Sequence, residues 1–264
     1  MNQNRLVSII IPTKNEEKNI KRCLESCLAQ GYPKIEIIVV DNFSQDRTLE
    51  IAKQFTQNVY LKGPERSAQR NFGAQKAQGD FLLFVDADME LTTNLIKDCL
   101  SQKTDAVSIP EKVPHVDFWT KCRDFEKSLY EGDNLFSAPR FIKKSLFVKL
   151  KGYSKNLYAA EDWDLLKRLQ NNRVKPANSQ SFLIHNEGPI SLKKLMKKKF
   201  YYGLNLKHYV KKHPKSSLSY ILRTPFFKNY KKIILNPSLS IGMFTLKTLE
   251  YLSTASGFIW GYFR

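Results

Sequence analysis

Phe81-Leu82-Leu83-Phe84-Val85 is an unbroken apolar run, preceded by Gly79-Asp80 and followed at once by Asp86-Ala87-Asp88. A run of that length and composition reads as a strand buried on both faces of a parallel sheet. The two acids stand two residues apart at its carboxyl end, so an extended chain points both carboxylates to one side. Open α/β sheets bind their ligands at the carboxyl ends of the strands. Two hard oxygen donors there suit Mg2+ or Mn2+, an ion that commonly also holds substrate phosphates. The alternative is a pair of ordinary turn residues closing a strand.

The chain before this stretch repeats one pattern. Leu6–Ile11 is a β-branched run ended by Pro12, which predicts a central first strand followed by the polar loop Thr13-Lys14-Asn15-Glu16-Glu17. Ile20, Leu24, Cys27 and Leu28 recur at helical spacing until Gly31-Tyr32-Pro33 stops the helix. Ile35–Val40 is a second strand ending in Asp41, and a helix over 47–55 follows, capped from Ser44 or Asp46. Val59–Leu61 is a short third strand, and 67–78 a helix with Arg70 near its start. Strand and helix alternate three times before the Asp86 strand, which predicts right-handed crossovers and a largely parallel sheet. Thr13, Asp41 and Asp86 then share one sheet edge, lining a cleft of nucleotide size.

Val7–Glu16, Ile38–Thr48, Ala68-Gln69-Arg70-Asn71-Phe72-Gly73 and Gly79–Asp88 together resemble, in order and spacing, a family 2 glycosyltransferase. The resemblance implies the α/β GT-A nucleotide-diphospho-sugar transferase fold, a mostly parallel central sheet flanked by helices. It implies an inverting transferase with a divalent Mn2+ or Mg2+ and a nucleotide-diphospho-sugar donor, with a leaning to UDP. It also assigns roles. Pro12, Thr13 and Glu16 line the nucleoside pocket, Asp41 contacts the base, and Arg70 lies near the base or diphosphate. Asp86 faces the ribose and metal, and Asp88 is the principal metal ligand. The absence of Gly-x-Gly-x-x-Gly near the first strand disfavours a dinucleotide-binding domain. A nucleotidyltransferase is the nearest alternative enzyme, but its Gly-rich phosphate loop has no counterpart in Pro12–Glu16.

Further on, Ala159-Ala160-Glu161-Asp162-Trp163-Asp164 enters a helix whose buried stripe is Leu165, Leu166 and Leu169. Three acids there suit the helix dipole. They also resemble the acceptor-site motif of the same family, which implies Asp162 as general base ahead of Glu161 and Asp164, with Trp163 stacking on a sugar or packing in the core. His185 follows the predicted strand Ser181–Ile184, and resembles the late histidine that completes the metal shell in such enzymes. Asp105–Pro110 reads as another strand, 119–130 as a helix, and Phe136–Ile142 resembles the family segment on the acceptor side.

Charge divides the chain. The net charge is +18, yet from Ile190 onward fifteen Lys and Arg face one acid, Glu250. So one-sided a balance implies an anionic partner. Residues 191–212 carry a basic amphipathic helix pattern broken by Pro214, and 218–234 mix aromatics with Lys and Arg. Leu239–Phe263 is mostly apolar but holds Lys247 and Glu250, against a spanning helix. The expectation is a catalytic domain over 1–189 (nucleotide half about 1–100, acceptor half about 101–189) and a basic helical region over 190–264 docked on an anionic membrane surface. No signal-peptide core precedes Pro12, and Cys23, Cys27, Cys99 and Cys122 lack metal spacing, which fits a reducing cytoplasmic setting and a peripheral position on the inner membrane face. The acceptor is then a saccharide or lipid-linked saccharide, with no nucleic acid expected. A non-enzymatic basic binding protein would have no use for ordered acids at three strand ends.

Overall fold

The computed structural model describes residues 5–131, 138–157, 160–213 and 224–263. Phe136, Ser137, Ala159, Pro214 and 218–223 of the segments named above lie outside them. The chain divides into two units. The first comprises 1–111, 134–155 and 162–186; the second comprises 112–133, 156–161 and 187–264.

The first unit is built on a seven-stranded sheet in the order β3-β2-β1-β4-β8-β6-β9. Its strands are β1 (Val7–Thr13), β2 (Ile35–Asp41), β3 (Val59–Leu61), β4 (Phe81–Phe84), β6 (Ala106–Ser108), β8 (Pro139–Lys143) and β9 (Ala177–Asn178). β1, β2, β3 and β4 are parallel, as the alternating pattern predicts. β1 and β4 are buried throughout, which is why their sequences are continuous apolar runs. β8 departs from the parallel scheme, running antiparallel to both β4 and β6. Antiparallel entry brings the start of β8, rather than its end, to the carboxyl edge of β4.

Helices α1 (Ile20–Leu28), α2 (Thr48–Lys53) and α3 (Arg66–Lys76) connect the parallel strands. Cys23 and Cys27 are buried in α1 as small apolar groups, and all four cysteines are free thiols. α3 comes close to the sheet at Gly73, where a Cβ would lie 2.5 Å from Ile10 Cγ2. α4 (Leu95–Ser101), α6 (Lys144–Lys149) and α7 (Glu161–Asn171) complete the layers. A second sheet has the order β5-β10-β7, from Met89–Leu91, Leu183–His185 and Glu111–Lys112.

The second unit is helical: α5 (Phe118–Ser128), α8 (Leu192–Lys212), α9 (Thr224–Lys228), α10 (Tyr230–Leu235) and α11 (Pro237–Tyr262). α5 begins with a capping box in which the Asp117 carboxylate accepts the Thr120 N–H. α5 joins this unit through charge: Arg123 and Glu126 pair with Glu250 and Lys247 of α11. That link is invisible in sequence, where the partners stand more than a hundred residues apart.

Candidate active site

The loops after β1 and β2 lock together. Asn15 N–H donates to Ser44 Oγ, Gln45 N–H to Asn15 Oδ1, and Glu16 N–H to Thr48 Oγ1. Asn15 takes a left-handed conformation (φ 54°), which an Asn tolerates better than most residues. Asp41 is buried, and its carboxylate accepts both the N–H and the hydroxyl of Ser44. It therefore holds the start of the loop after β2. Pro12 is buried in β1, and Thr13 at its end is 3% exposed with a side-chain hydroxyl that has no hydrogen-bond partner among the described residues. Burial pushes the Glu16 carboxyl up; the Asn19 amide pulls it back, and the charges of Asp88, Asp46 and Asp86 add to the rise. Glu16 thus feels both acids at the end of β4.

Three successive side chains of α3 organise the edge. Gln69 Nε2 donates to the carbonyls of Thr13 and Val40, tying together the ends of β1 and β2. Arg70, 1% exposed, donates through Nη2 to Asp86 at 2.7 Å and through Nη1 to Asp162 at 3.2 Å. Its guanidinium also lies over the Tyr153 ring, 5.2 Å from the centroid. Asn71 donates to the Tyr153 carbonyl and accepts its N–H, holding that ring in place.

Asp86 carries a second arginine. Phe141 of β8 pairs with Leu83 of β4, so Arg140 lies at the carboxyl edge. Its guanidinium reaches Asp86 Oδ2 at 3.4 Å and Glu111 Oε1 at 2.6 Å. Burial alone would raise the Asp86 carboxyl; the charges of Arg70, Arg140 and Arg66 outweigh it and hold Asp86 well below the usual carboxylate range. Burial alone would lower Arg140, and Glu111 and Asp86 reverse that and push it up.

The antiparallel pairing of β10 with β5 sets His185 opposite Met89, beside Asp88. His185 Nε2 is 3.2 Å from Asp88 Oδ2, and Nδ1 is 3.3 Å from Glu111 Oε2. The structure therefore brings Asp88 and His185 together as the sequence suggested, but Asp86 meets two guanidinium groups with its two oxygens. Among the described residues, no group of three or more His, Cys, Asp or Glu is arranged to hold a metal ion.

Of the three acids opening α7, Asp162 pairs with Arg70 at the site, its side chain 43% exposed. Glu161 is 4% exposed. Asp164 is fully buried, accepting from Ser154 Oγ at 2.6 Å and pairing with Arg168 at 2.8 Å. It is a packing ion pair, not an acceptor-facing group. Trp163 is half-buried beside Asp162.

Arg140 and Glu111 are the site residues that sequence reasoning missed. A charge inside Ala138-Pro139-Arg140-Phe141-Ile142 was the available signal, since a charged side chain on a buried strand needs a partner.

Residues 8–139, half of the chain, match the family model described as glycosyl transferase family 2. The chain belongs to that family. It is 42% identical over 91 residues to the glycosyltransferase AglE of Haloferax volcanii, covering 31% of this chain and 30% of AglE. It is 37% identical over 102 residues to the poly(ribitol-phosphate) beta-N-acetylglucosaminyltransferase TarS of Staphylococcus aureus, covering 34% of this chain and 18% of TarS. The matched stretch is thus less than a third of either relative. Among solved structures, the mannosyltransferase PcManGT from Pyrobaculum calidifontis, in complex with GDP-Man and Mn2+, superposes with a TM-score of 0.68 at 16% identity over 97% of this chain and 87% of that one. S. aureus TarS 1–349 with UDP-GlcNAc gives 0.55 at 22% identity over 76% and 66%. The likeness to these structures is one of fold, and the chain has the α/β GT-A fold.

Proposed function

We propose that the protein transfers a sugar from a nucleotide-diphospho-sugar, a UDP-sugar in the first instance, to a hydroxyl of a saccharide or lipid-linked saccharide. The transfer inverts the anomeric centre and serves surface polysaccharide or glycan synthesis at the inner face of an anionic membrane. The observation that carries the reading is the double pairing of Arg70. One buried guanidinium couples Asp86, at the strand edge where a donor binds, to Asp162, the half-exposed acid where an acceptor would approach. In-line displacement needs one base opposite the leaving group, and Asp162 takes the hydroxyl proton in that role. Arg70 and Arg140 bring two fixed positive charges to the edge where a diphosphate would develop charge. The Thr13 hydroxyl, without a hydrogen-bond partner among the described residues, supports a polar ligand in the β1–β2 cleft, because an unmet buried hydroxyl costs about 1–3 kcal/mol. Pro12, Glu16 and the Asp41 loop form the rest of that pocket.

The donor set fits a divalent ion held jointly with substrate. Asp88 offers a hard oxygen and His185 an imidazole nitrogen, while Glu111 on the far ring nitrogen fixes the tautomer, as carboxylates behind metal-bound histidines do. Two protein ligands suffice for an ion that takes its remaining ligands from a diphosphate and water. Asp86 contributes by anchoring the two arginines. Such an ion, Mn2+ or Mg2+, would neutralise charge on the departing diphosphate. PcManGT with GDP-Man and Mn2+ and TarS with UDP-GlcNAc are consistent with both donor class and metal.

Calorimetric titration with UDP- and GDP-sugars, in Mn2+ and in chelator, tests the donor side. One donor should bind the wild type, with affinity lowered about tenfold or more by chelator and by Asp88→Ala. A folded protein that binds no nucleotide sugar overturns the reading.

A further inference from the structure

Helix α11 buries charge on one face and leaves large apolar side chains exposed on the other. Its inward face carries Ser240, Lys247, Glu250 and Ser253 beside the apolar Met243 and Leu246, each less than a tenth exposed. Its outward face carries Ile241, Phe244, Leu252, Ile259, Trp260 and Tyr262, between 45% and 70% exposed. A helix in water ordinarily does the reverse. This one cannot rotate to hide its apolar residues, because its inward charges are committed. Lys247 pairs with Glu126 at 2.6 Å and with Glu250; Glu250 in turn pairs with Arg123 at 2.6 Å and Lys199 at 3.4 Å. Turning the helix would strand these charges without partners. Its glycines lock the same face: a Cβ on Gly257 would lie 2.1 Å from the Phe200 carbonyl oxygen of α8, and one on Gly261 2.6 Å from that of Leu204. Backbones brought together by glycines four apart are a habit of helices that pack in lipid.

The surroundings choose the occupant. On α9 and α10, Phe227, Ile234 and Leu235 are 69–79% exposed beside the exposed Lys228, Lys231 and Lys232. The one acid from Ile190 onward, Glu250, is turned inward, so the exposed charged side chains among the described residues of this stretch are cationic. A second copy would be repelled by a like-charged surface, and outward aliphatic residues have no use on a nucleic acid. Apolar groups fringed by lysines match an anionic bilayer. No helix among the described residues is long and apolar enough to cross a membrane. A stripe along a 26-residue helix, about 39 Å long, suits a helix lying in the interface.

We propose that the outward face of α11, with the lysines of α9 and α10, seats the protein in the plane of an anionic lipid surface. This deepens the membrane half of the proposed function and does not depend on the glycosyl-transfer half. The test is flotation of the full chain with phosphatidylcholine vesicles, with and without phosphatidylglycerol, at low and high salt. Trp260 emission should shift to the blue on binding and be quenched by brominated acyl chains, and Trp260→Phe should remove most of that signal. Leu252→Glu with Ile259→Glu alters only exposed positions and should weaken binding about tenfold or more. Lys228→Gln, Lys231→Gln and Lys232→Gln should weaken it about fivefold each. Nucleotide-sugar binding retained in these variants separates a failure of the seat from a failure of the transferase reading. Absence of vesicle binding overturns the proposal. So does binding that salt abolishes and the double Glu variant leaves unchanged, which means headgroup attraction alone. Self-association that the double Glu variant dissolves, without vesicle binding, reassigns the face to a contact between copies.

Discussion

Arg70→Met removes a side chain that pairs with both Asp86 and Asp162. The pair with Asp86 is short, 2.7 Å, between side chains 1% and 16% exposed. Removing one member of a buried pair costs about 3–5 kcal/mol, because the other charge stays behind. Arg140 remains on the second oxygen at 3.4 Å, which places this loss near about 3 kcal/mol. The lost cation–π contact with Tyr153 adds about 1 kcal/mol. Asp162 is 43% exposed, so its share is at most about 1 kcal/mol. The sum, about 4 kcal/mol, should lower the thermal midpoint of the first unit by roughly 8–16 °C. The assay is thermal unfolding followed by circular dichroism, beside donor turnover. Asp86 has a folded pKa held below its ordinary 3.8, so its contribution is present above that value and lost as pH falls below it. The gap between wild type and variant should therefore narrow in acid. Arg70→Lys should recover part of the stability but not the turnover, since one ammonium cannot serve two carboxylates in fork geometry. A variant within about 1 kcal/mol of wild type at neutral pH, with unchanged turnover, would refute the argument.

Glu111→Gln keeps the size of the side chain but weakens its hold on His185 Nδ1, and should reduce Mn2+-supported donor binding about 10–100-fold by calorimetry. Glu250→Leu leaves Arg123, Lys199 and Lys247 short of their shared acid and should destabilise the second unit by about 3–5 kcal/mol in urea unfolding. Burial, partly opposed by Glu250, lowers Lys199 from 10.5 to about 8. The unfolded chain then binds more protons between those values, so stability should rise with pH through that window, and Lys199→Met should flatten the slope.

Local signals carried most of the first unit. β1, β2 and β4 are legible because burial on both faces demands unbroken apolar runs, and Asp41, Asp86 and Asp88 mark where those runs stop. What was illegible depends on long-range pairing. The antiparallel β8 has no local signature, yet it delivers Arg140 to Asp86 across 54 residues of chain. The family resemblance ranks Asp162 ahead of Glu161 and Asp164, but no local signal tells that the first and third are buried and the second half-exposed. Lys247 and Glu250 were read as obstacles to a membrane span. Their partners on α5 and α8 show a further role, fixing which face of α11 is turned outward.

The central claim is that Asp162 is the base of a nucleotide-sugar-dependent transfer. Its most direct test compares wild type with Asp162→Asn for binding of the identified donor and for release of nucleoside diphosphate in the presence of acceptor. The account predicts donor affinity within about threefold of wild type and turnover reduced about 10²–10⁴-fold. An Asn variant that turns over at the wild-type rate would contradict it.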